Sequence, residues 1–587
     1  MQDVVDAEKK WPVIVAWCAF GLVVLFYLSL KSFCFHWQVG DENIYFYMAW
    51  STVDHGALPY SDFFFAHPPL HILPGIAVFG LLGFGPFSVR LIPIGATLVG
   101  AFFLFRLARA RIGSLGGVAT VFLYLTAFSL IRASTHWTGI NLAVMWCVLG
   151  LWAHFKRRPA TAGVFLALGV CTGNYVLPAA LMLGILAFLD SRPKGRRYLL
   201  GFAVPWAALM VMGLALGGTA YLKAVYAYHL LKPQAAGASY KMSVRVFSDN
   251  FALFLGVLLG PLLAALDGFL GRASGRRPER QESAPDPGGS WLRRFFGWWR
   301  VRLVDGGPAG LARVGALWAL GYVLFIAMLP RVFPFYFLLM FPGMALAGGY
   351  AIECWAGNAR ALVAGAKERG KHFWEATAIL VMLLVAVGMG YFIRVPIQQT
   401  LLPLYTRSHD KPMKWSDGRL PGFINRAFRA CCWDDVAQAY TAYGTVQEIL
   451  YHESRYFEKA EELAGYVREH SNPDQAIFGD SSTAGLVALL SGRRLSADFA
   501  DTNVMRFRSG VTTIENAIRK IDTPKLTFIL ASGSLRRGPA GSERLRLGHF
   551  ASLPRFRRWL GENFEQVYRT LDRTKGWFFL LKKKHSR

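Results

Sequence analysis

Apolar runs long enough to cross a bilayer recur along most of this chain, separated by short basic or aromatic loops. A spanning helix needs about 20 predominantly apolar residues. Runs of that character predict about eleven spans, over residues 11–30, 87–105, 113–131, 140–155, 160–172, 175–190, 198–217, 251–269, 314–329, 336–353 and 374–393. One further apolar run, 71–82, is shorter, follows Pro68-Pro69 and is broken by Pro74 and Gly75. Reading it as a span would put Arg106, Arg109 and Arg111 on the outer side, against the bias of basic loops toward the cytoplasm. It is therefore expected to lie along the outer surface or to dip into it. Beyond residue 397 the long apolar runs stop. Residues 397–587 predict one soluble α/β domain, with strands over 476–479, 526–530 and 577–581 and helices near 445–470, 482–490, 511–521 and 541–561.

Composition supports the membrane class. The 587 residues are 54% hydrophobic and only 17% charged, and the mean hydropathy is positive, where a soluble chain of this length would carry more charge. The net charge of +27 raises the question of nucleic acid. The Lys and Arg residues sit in short loops between apolar runs, so the positive-inside rule accounts for them and no nucleic-acid partner is expected. With the amino terminus in the cytoplasm, the clusters at 106–111, 156–158, 192–197, 270–313 and 360–371 all fall inside. The 270–313 linker carries an amphipathic run, 291–300, suited to the inner leaflet. The first apolar run lacks a small-residue cleavage site and is expected to remain as a span. Seven cysteines show no CxxC spacing, which gives no disulfide or zinc framework.

The candidate chemistry lies in the outer loops. Gly40-Asp41-Glu42-Asn43-Ile44-Tyr45 follows the first span, and Tyr60-Ser61-Asp62-Phe63 and His67-Pro68-Pro69-Leu70 follow it. Asp41 and Glu42 are readable as a helix amino-terminal pair that complements the dipole. They are equally readable as a general base with a neighbouring acid, since a carboxylate at a low-dielectric boundary has suitable basicity. The two prolines explain a helix start by themselves, or place His67 at the mouth of a site that binds sugar or phosphate. Asp480-Ser481-Ser482 reads as a helix cap in preference to a nucleophile. Outer-side basic residues His229, Lys232, Lys241, Arg245 and Arg331 suit either lipid headgroups or a clamp on a phosphate.

The opening stretch resembles the first outer loop of the membrane glycosyltransferases that take sugar from a polyprenyl-phosphate donor, the GT-C class. It is most similar to the protein mannosyltransferases that use dolichyl-phosphate-mannose and to the bacterial aminoarabinose transferases. Asp41-Glu42, Tyr60-Ser61-Asp62-Phe63 and His67-Pro68-Pro69-Leu70 carry the likeness, in that order. The segment from Arg331 to Pro342, with Tyr336, is similar to a late family segment ahead of a Pro-containing span.

The resemblance implies a mainly α polytopic bundle, residues 1–396, with a C-terminal extracytoplasmic α/β domain. It implies an inverting hexosyl- or pentosyltransferase in a bacterial inner membrane. Its partners would be a polyprenyl-phosphate sugar donor, a lipid, glycan or protein acceptor, and membrane lipids. Asp41 would be the general base with Glu42 beside it. Arg331, Lys232, His229 and Tyr336 would hold the donor phosphate, and Tyr60, Asp62, His67, His136 and Asn141 would contact substrate. Many relatives carry an acid where this chain has His136 and Asn141. No cofactor is therefore expected, and a divalent metal is possible but lacks a second acidic ligand. The alternative is a transporter or flippase of lipid-linked glycans, which should show internal repeats or charges deep in several spans.

Overall fold

The computed structural model describes residues 2–32, 40–134, 136–233, 242–243, 246–247, 249–273, 303, 307–329, 332–369, 457–481, 483–537, 543–572 and 576–584. The expected last span at 374–393, the run at 291–300 and the boundary at 396/397 lie outside these residues.

Helices dominate the first 369 residues, and they follow the hydropathy pattern closely. In chain order they are α1 (Gln2–Ser32), α2 (Glu42–His55), α3 (Leu73–Leu82), α4 (Pro86–Arg111), α5 (Ser114–Leu125), α6 (Phe128–Ala133), α7 (Ile140–Phe155), α8 (Pro159–Val170) and α9 (Leu177–Asp190). Then come α10 (Arg192–Leu222), α11 (Phe251–Ala273), α12 (Gly307–Met328) and α13 (Phe341–Arg369). Segments Arg90–Arg111, Arg192–Leu230 and Gly307–Met328 are long and apolar enough to cross a membrane. The run at 113–131 is broken at Thr126-Ala127 into α5 and α6. Of residues 71–82, Leu73–Leu82 form a 10-residue helix, too short to span, packed on α2 and α4. Proline sits at the first turn of α3, α4, α8 and α9, where a missing N–H costs nothing.

Small residues let the helices close on one another, as they do inside membranes. Gly201 of α10 rests on the Ala160 carbonyl, and Gly256 of α11 faces Gly348 of α13. The outer flank of α10 leaves Leu199, Leu200, Val204 and Val211 exposed, an apolar surface suited to lipid.

The two ends of the bundle differ. The Arg111 Nη2 donates to the Phe155 carbonyl at 2.8 Å, and Arg157 pairs with Asp190 at 3.1 Å, so three basic turns meet at one end. Thr138 and Tyr228, at the far ends of α7 and of the α10 extension, line a common cavity with the 40–67 loop at the other end.

The C-terminal domain contains a six-stranded sheet: β1 (Ala476–Gly479), β2 (Arg494–Leu495), β3 (Leu526–Arg537), β4 (Glu543–Leu547), β5 (Phe564–Asp572) and β6 (Gly576–Lys583). The order is β2-β1-β3-β6-β5, with β4 on β3; β1 pairs in parallel with β2 and β3, and the other pairs are antiparallel. Helices α14 (457–469), α15 (Ala484–Ser491), α16 (Val504–Arg508), α17 (Ile514–Ile521) and α18 (Pro554–Asn563) flank it. The helix expected over 541–561 is corrected. Residues 543–547 extend as β4 because Leu535, pairing with Leu545, offers them a ladder partner, and helix begins only at Pro554. Asp480 stands at the start of α15, as the cap reading expects. Its carboxylate accepts the Ser532 hydroxyl, while its backbone carbonyl accepts from Thr483 and Ala484.

Side chains alternate across β3. Ile529 and Ala531 join Phe556 and Leu560 in a core belonging to the domain. Phe528 and Leu530 face the other way, into a core continuous with Leu463 of α14, Leu486 of α15, and Phe46 and Tyr47 of α2. The domain is thus packed onto the first outer loop. Tyr47 is the polar pin of this contact: its hydroxyl donates to Asp498 Oδ1 at 2.7 Å and accepts from the Leu495 N–H at 2.8 Å. Gly485 of α15 approaches so closely that a Cβ would lie 2.8 Å from the Asn43 carbonyl oxygen.

Gly485→Ala should therefore weaken docking by about 1–3 kcal/mol, by overpacking. In contrast Gly465→Ala, whose Cβ meets nothing within 4 Å, should stabilise α14 by up to about 1 kcal/mol. Thermal unfolding in detergent measures both. Equal midpoints for the two variants would contradict the close approach.

Candidate functional site

Residues Asp41, Ile44, Tyr45 and Met48 recur at helical spacing and form one face of α2. That face is a wall of a cavity enclosing about 800 Å³, counting its open mouth. Phe64, Phe65, Ala66 and His67 supply a second wall. Thr138, Tyr175, Phe333, Phe335 and Tyr336 line it from the bundle, and Tyr228, His229 and Lys232 from the extension of α10. Asp501, Asn503 and Met505 come from the C-terminal domain.

Asp41 opens α2 at its N-cap position but makes no side-chain capping bond, and its side chain is exposed at the cavity. Glu42, one residue later, points the other way and is fully buried. Arg90 Nη1 donates to its Oε2 at 2.8 Å, the Trp137 N–H donates at 3.2 Å, and His136 Nδ1 lies 3.4 Å from Oε1. Burial alone would push this carboxyl up, but the Arg90 guanidinium, with His136 beside it, prevails and lowers its pKa to about 2. Glu42 does not line the cavity. It anchors the start of α2 to α4, and so fixes its neighbour Asp41.

His67 is held from two directions. Its Nε2 bonds the Tyr45 hydroxyl at 2.8 Å, its ring stacks on His71 at 4.2 Å, and the Tyr60 hydroxyl donates to its backbone carbonyl at 2.7 Å. Burial, reinforced by His71, His229 and Lys232, holds His67 well below the usual histidine range, so it is neutral at pH 7. His229 is likewise lowered to about 4, by burial and then by Lys232. The histidines therefore offer hydrogen bonds without charge, and the positive charge on this wall belongs to Lys232. Lys232 Nζ lies 3.2 Å from His229 Nδ1 and over the Tyr228 ring at 4.2 Å. A kink at Gly218 (φ 52°, ψ −131°) and a π-helical stretch, Lys223–Ala227, turn the chain after α10 so that these side chains face the cavity.

Of the residues expected at the site, the structure brings Asp41, His67, His229, Lys232 and Tyr336 together. Tyr60 supports His67 from behind. His136 touches Glu42. Asn141 is buried, its Nδ2 donating to the Ala133 carbonyl at 2.9 Å, and Asp62 is exposed, closing its own turn on the Leu58 N–H at 2.8 Å. Lys241, Arg245 and Arg331 lie outside the described residues. Among the described residues no group of three or more His, Cys, Asp or Glu side chains is placed to hold a metal ion.

With this geometry in view, comparison with solved structures is informative. The chain is similar in structure to ArnT from Cupriavidus metallidurans in the apo state, with a TM-score of 0.54, 14% identity and 98% of each chain covered. ArnT bound to undecaprenyl phosphate gives 0.52 at 13% identity, covering 99% of this chain and 98% of that one. In fold the chain is similar to ArnT. The shared fold is a mainly helical bundle with a C-terminal α/β domain. The archaeal oligosaccharyltransferase AglB from Archaeoglobus fulgidus, in complex with an inhibitory peptide and a dolichol-phosphate, matches more loosely, with a TM-score of 0.49 at 10% identity over 96% of this chain and 80% of that one. No family model matches, and no curated protein matches in sequence.

Two residues of consequence escaped the sequence reading. Arg90 had a usable signal: it is a lone charge at the start of an apolar span, where charge is costly without a partner. Asp501 had none, because nothing in its neighbourhood links it to a loop 460 positions earlier.

Arg90→Met should cost about 3–5 kcal/mol, since it strands a buried carboxylate. The sign of the pH dependence follows from the lowered pKa. Stability from the Glu42 pair is fully present above the unfolded value of about 4.5 and is lost as pH falls toward 2. The gap in unfolding midpoint between wild type and Arg90→Met should thus narrow on acidification through that window. A constant gap would show that the pair contributes nothing specific.

Proposed function

We propose that the chain is a glycosyltransferase that moves a sugar from a polyprenyl-phosphate donor to an acceptor hydroxyl, with inversion, at the outer face of a bacterial cytoplasmic membrane. The observation that carries this reading is the cavity itself: the Asp41 carboxylate and the Lys232 ammonium share it with neutral histidines and with Tyr336. Asp41 takes the proton of the acceptor hydroxyl. The oxygen attacks the anomeric carbon, the carbon–oxygen bond to the phosphate breaks, and polyprenyl phosphate leaves with the bonding electrons. Lys232 holds the phosphate as a charge-assisted donor, and His229 keeps the ammonium in place. His67 and Tyr336 offer hydrogen bonds to the sugar or phosphate.

Neutral histidines suit this chemistry. A cationic ring beside Asp41 would weaken it as a base. Undecaprenyl phosphate bound to ArnT lends support to the choice of donor, since that protein shares the fold. The gathering of basic turns at the end remote from the cavity favours an amino terminus in the cytoplasm, with the cavity and C-terminal domain outside. A lipid donor fits that side, where nucleotide sugars are absent.

Glycolipids and glycoproteins compared between wild type, a deletion and Asp41→Asn in the native host test the reading. The deletion should lose one glycan and accumulate polyprenyl-phosphate sugar. Asp41→Asn should behave as the deletion does, with transfer lowered about 10²–10⁴-fold, as for loss of a general base. Full restoration of the glycan by Asp41→Asn would remove Asp41 from that role. Lys232→Ala should weaken undecaprenyl phosphate binding by the purified protein about tenfold or more, as for loss of one charge-assisted hydrogen bond.

A further inference from the structure

Asp501 comes from the C-terminal domain, more than 450 residues from Asp41 in sequence, yet the two carboxylates line the same cavity. Burial holds the Tyr45 hydroxyl well above the usual tyrosine range, and both carboxylates reinforce that shift. The Asp501 backbone is tightly set. The Asn503 N–H donates to its Oδ1 at 2.9 Å, and Arg506 Nη1 donates to its carbonyl at 2.9 Å. Arg506 is itself clamped between the Phe64 ring of the outer loop, at 4.3 Å, and the Phe499 ring of the domain, at 4.0 Å. One guanidinium thus ties the domain to the outer loop and orients Asp501. Among the described residues no donor reaches Asp501 Oδ2.

Asp501 is half-buried at the cavity, so a ligand hydroxyl can reach its carboxylate. The donor lipid's phosphate is not that ligand, since like charges repel and Lys232 already serves it. We propose that Asp501 positions the acceptor: Oδ2 takes a hydrogen bond from a hydroxyl of the acceptor molecule, aligning a second hydroxyl for proton removal by Asp41. The C-terminal domain then supplies part of the acceptor site, and docking on the outer loop completes the cavity. This rests on the glycosyl-transfer reading above.

The test uses the full-length protein in detergent. The polyprenyl-phosphate sugar and unmodified acceptor fractions of the deletion strain serve as substrates, and undecaprenyl phosphate alone serves as the binding probe. Asp501→Ala should raise the half-saturating acceptor concentration about tenfold, as for one lost hydrogen bond to a charged group, and leave the saturating rate within about threefold. Its affinity for undecaprenyl phosphate should not change. Asp501→Asn keeps the Asn503 contact through its one amide oxygen and puts an NH2 at the Oδ2 position, which a hydroxyl can accept from, so its half-saturating acceptor concentration should lie between those of wild type and Asp501→Ala. Four results would overturn the proposal: unchanged acceptor dependence in Asp501→Ala, a fall confined to the saturating rate, weakened undecaprenyl phosphate binding, or a loss in Asp501→Asn equal to that in Asp501→Ala. The last would mark a cationic group in place of a hydroxyl. If wild type itself transfers no sugar, the glycosyl-transfer reading fails and this inference with it. Active wild type with any of the four results defeats the inference alone.

Discussion

A buried ion pair between Glu42 and Arg90 sets the position of the candidate site. Glu42 is the first residue of α2 and Arg90 lies in the first full turns of α4, so the pair locks the outer helix to a bundle helix. Neither side chain reaches solvent, and two groups besides Arg90 attend the carboxylate. Such a pair is a modest source of net stability, because desolvating both charges offsets much of their attraction. Its value is geometric. With Glu42 turned into the protein, helical spacing turns Asp41, Tyr45 and Met48 toward the cavity.

The second constraint is the seat of the C-terminal domain. Residues Ala497 and Asp498 both hold left-handed backbone (φ 54° and 48°), at about 1 kcal/mol or more each for residues with a Cβ. The conformation delivers the Asp498 carboxylate to Tyr47, Ser51 and Arg494 at once. Below these polar contacts lies an apolar core that runs without a break from β3 through α15 to α2. The domain is part of the architecture that holds α2, and through Asp501 and Asn503 it adds side chains to the cavity. The cavity combines carboxylates from two distant parts of the chain with one ammonium and histidines that burial keeps neutral.

Much of the architecture was legible in the residues themselves. Helix positions follow from apolar run length, since a backbone in hydrocarbon must satisfy its own hydrogen bonds. The short helix after His67 was separable from the spans by its length and by charge placement. The central strands of the C-terminal domain stood out as buried β-branched and aromatic runs. Where the reading failed, the cause was non-local. Residues 543–547 are polar and uncommitted alone, and pairing with β3 makes them a strand.

The same division holds at the site. Asp41, His67, His229 and Lys232 were identifiable because ionisable groups flanking apolar runs are costly to place there without a use, and Tyr336 through the family resemblance alone. Adjacent acids look equivalent in a sequence, however, and only packing distinguishes Asp41, facing the cavity, from Glu42, neutralised by Arg90. Asp62 and Asn141 were equally plausible by composition, yet one closes its own turn and the other a helix end. The amino-acid order by itself determined which segments are helices, which end gathers the basic turns and where the outer-loop chemistry begins, because these depend on local hydropathy and charge. Which carboxylate reaches the cavity, and that Asp501 joins it across some 460 residues, was decided by tertiary packing alone, because side-chain direction and long-range proximity exist only once the helices and the domain have closed on one another.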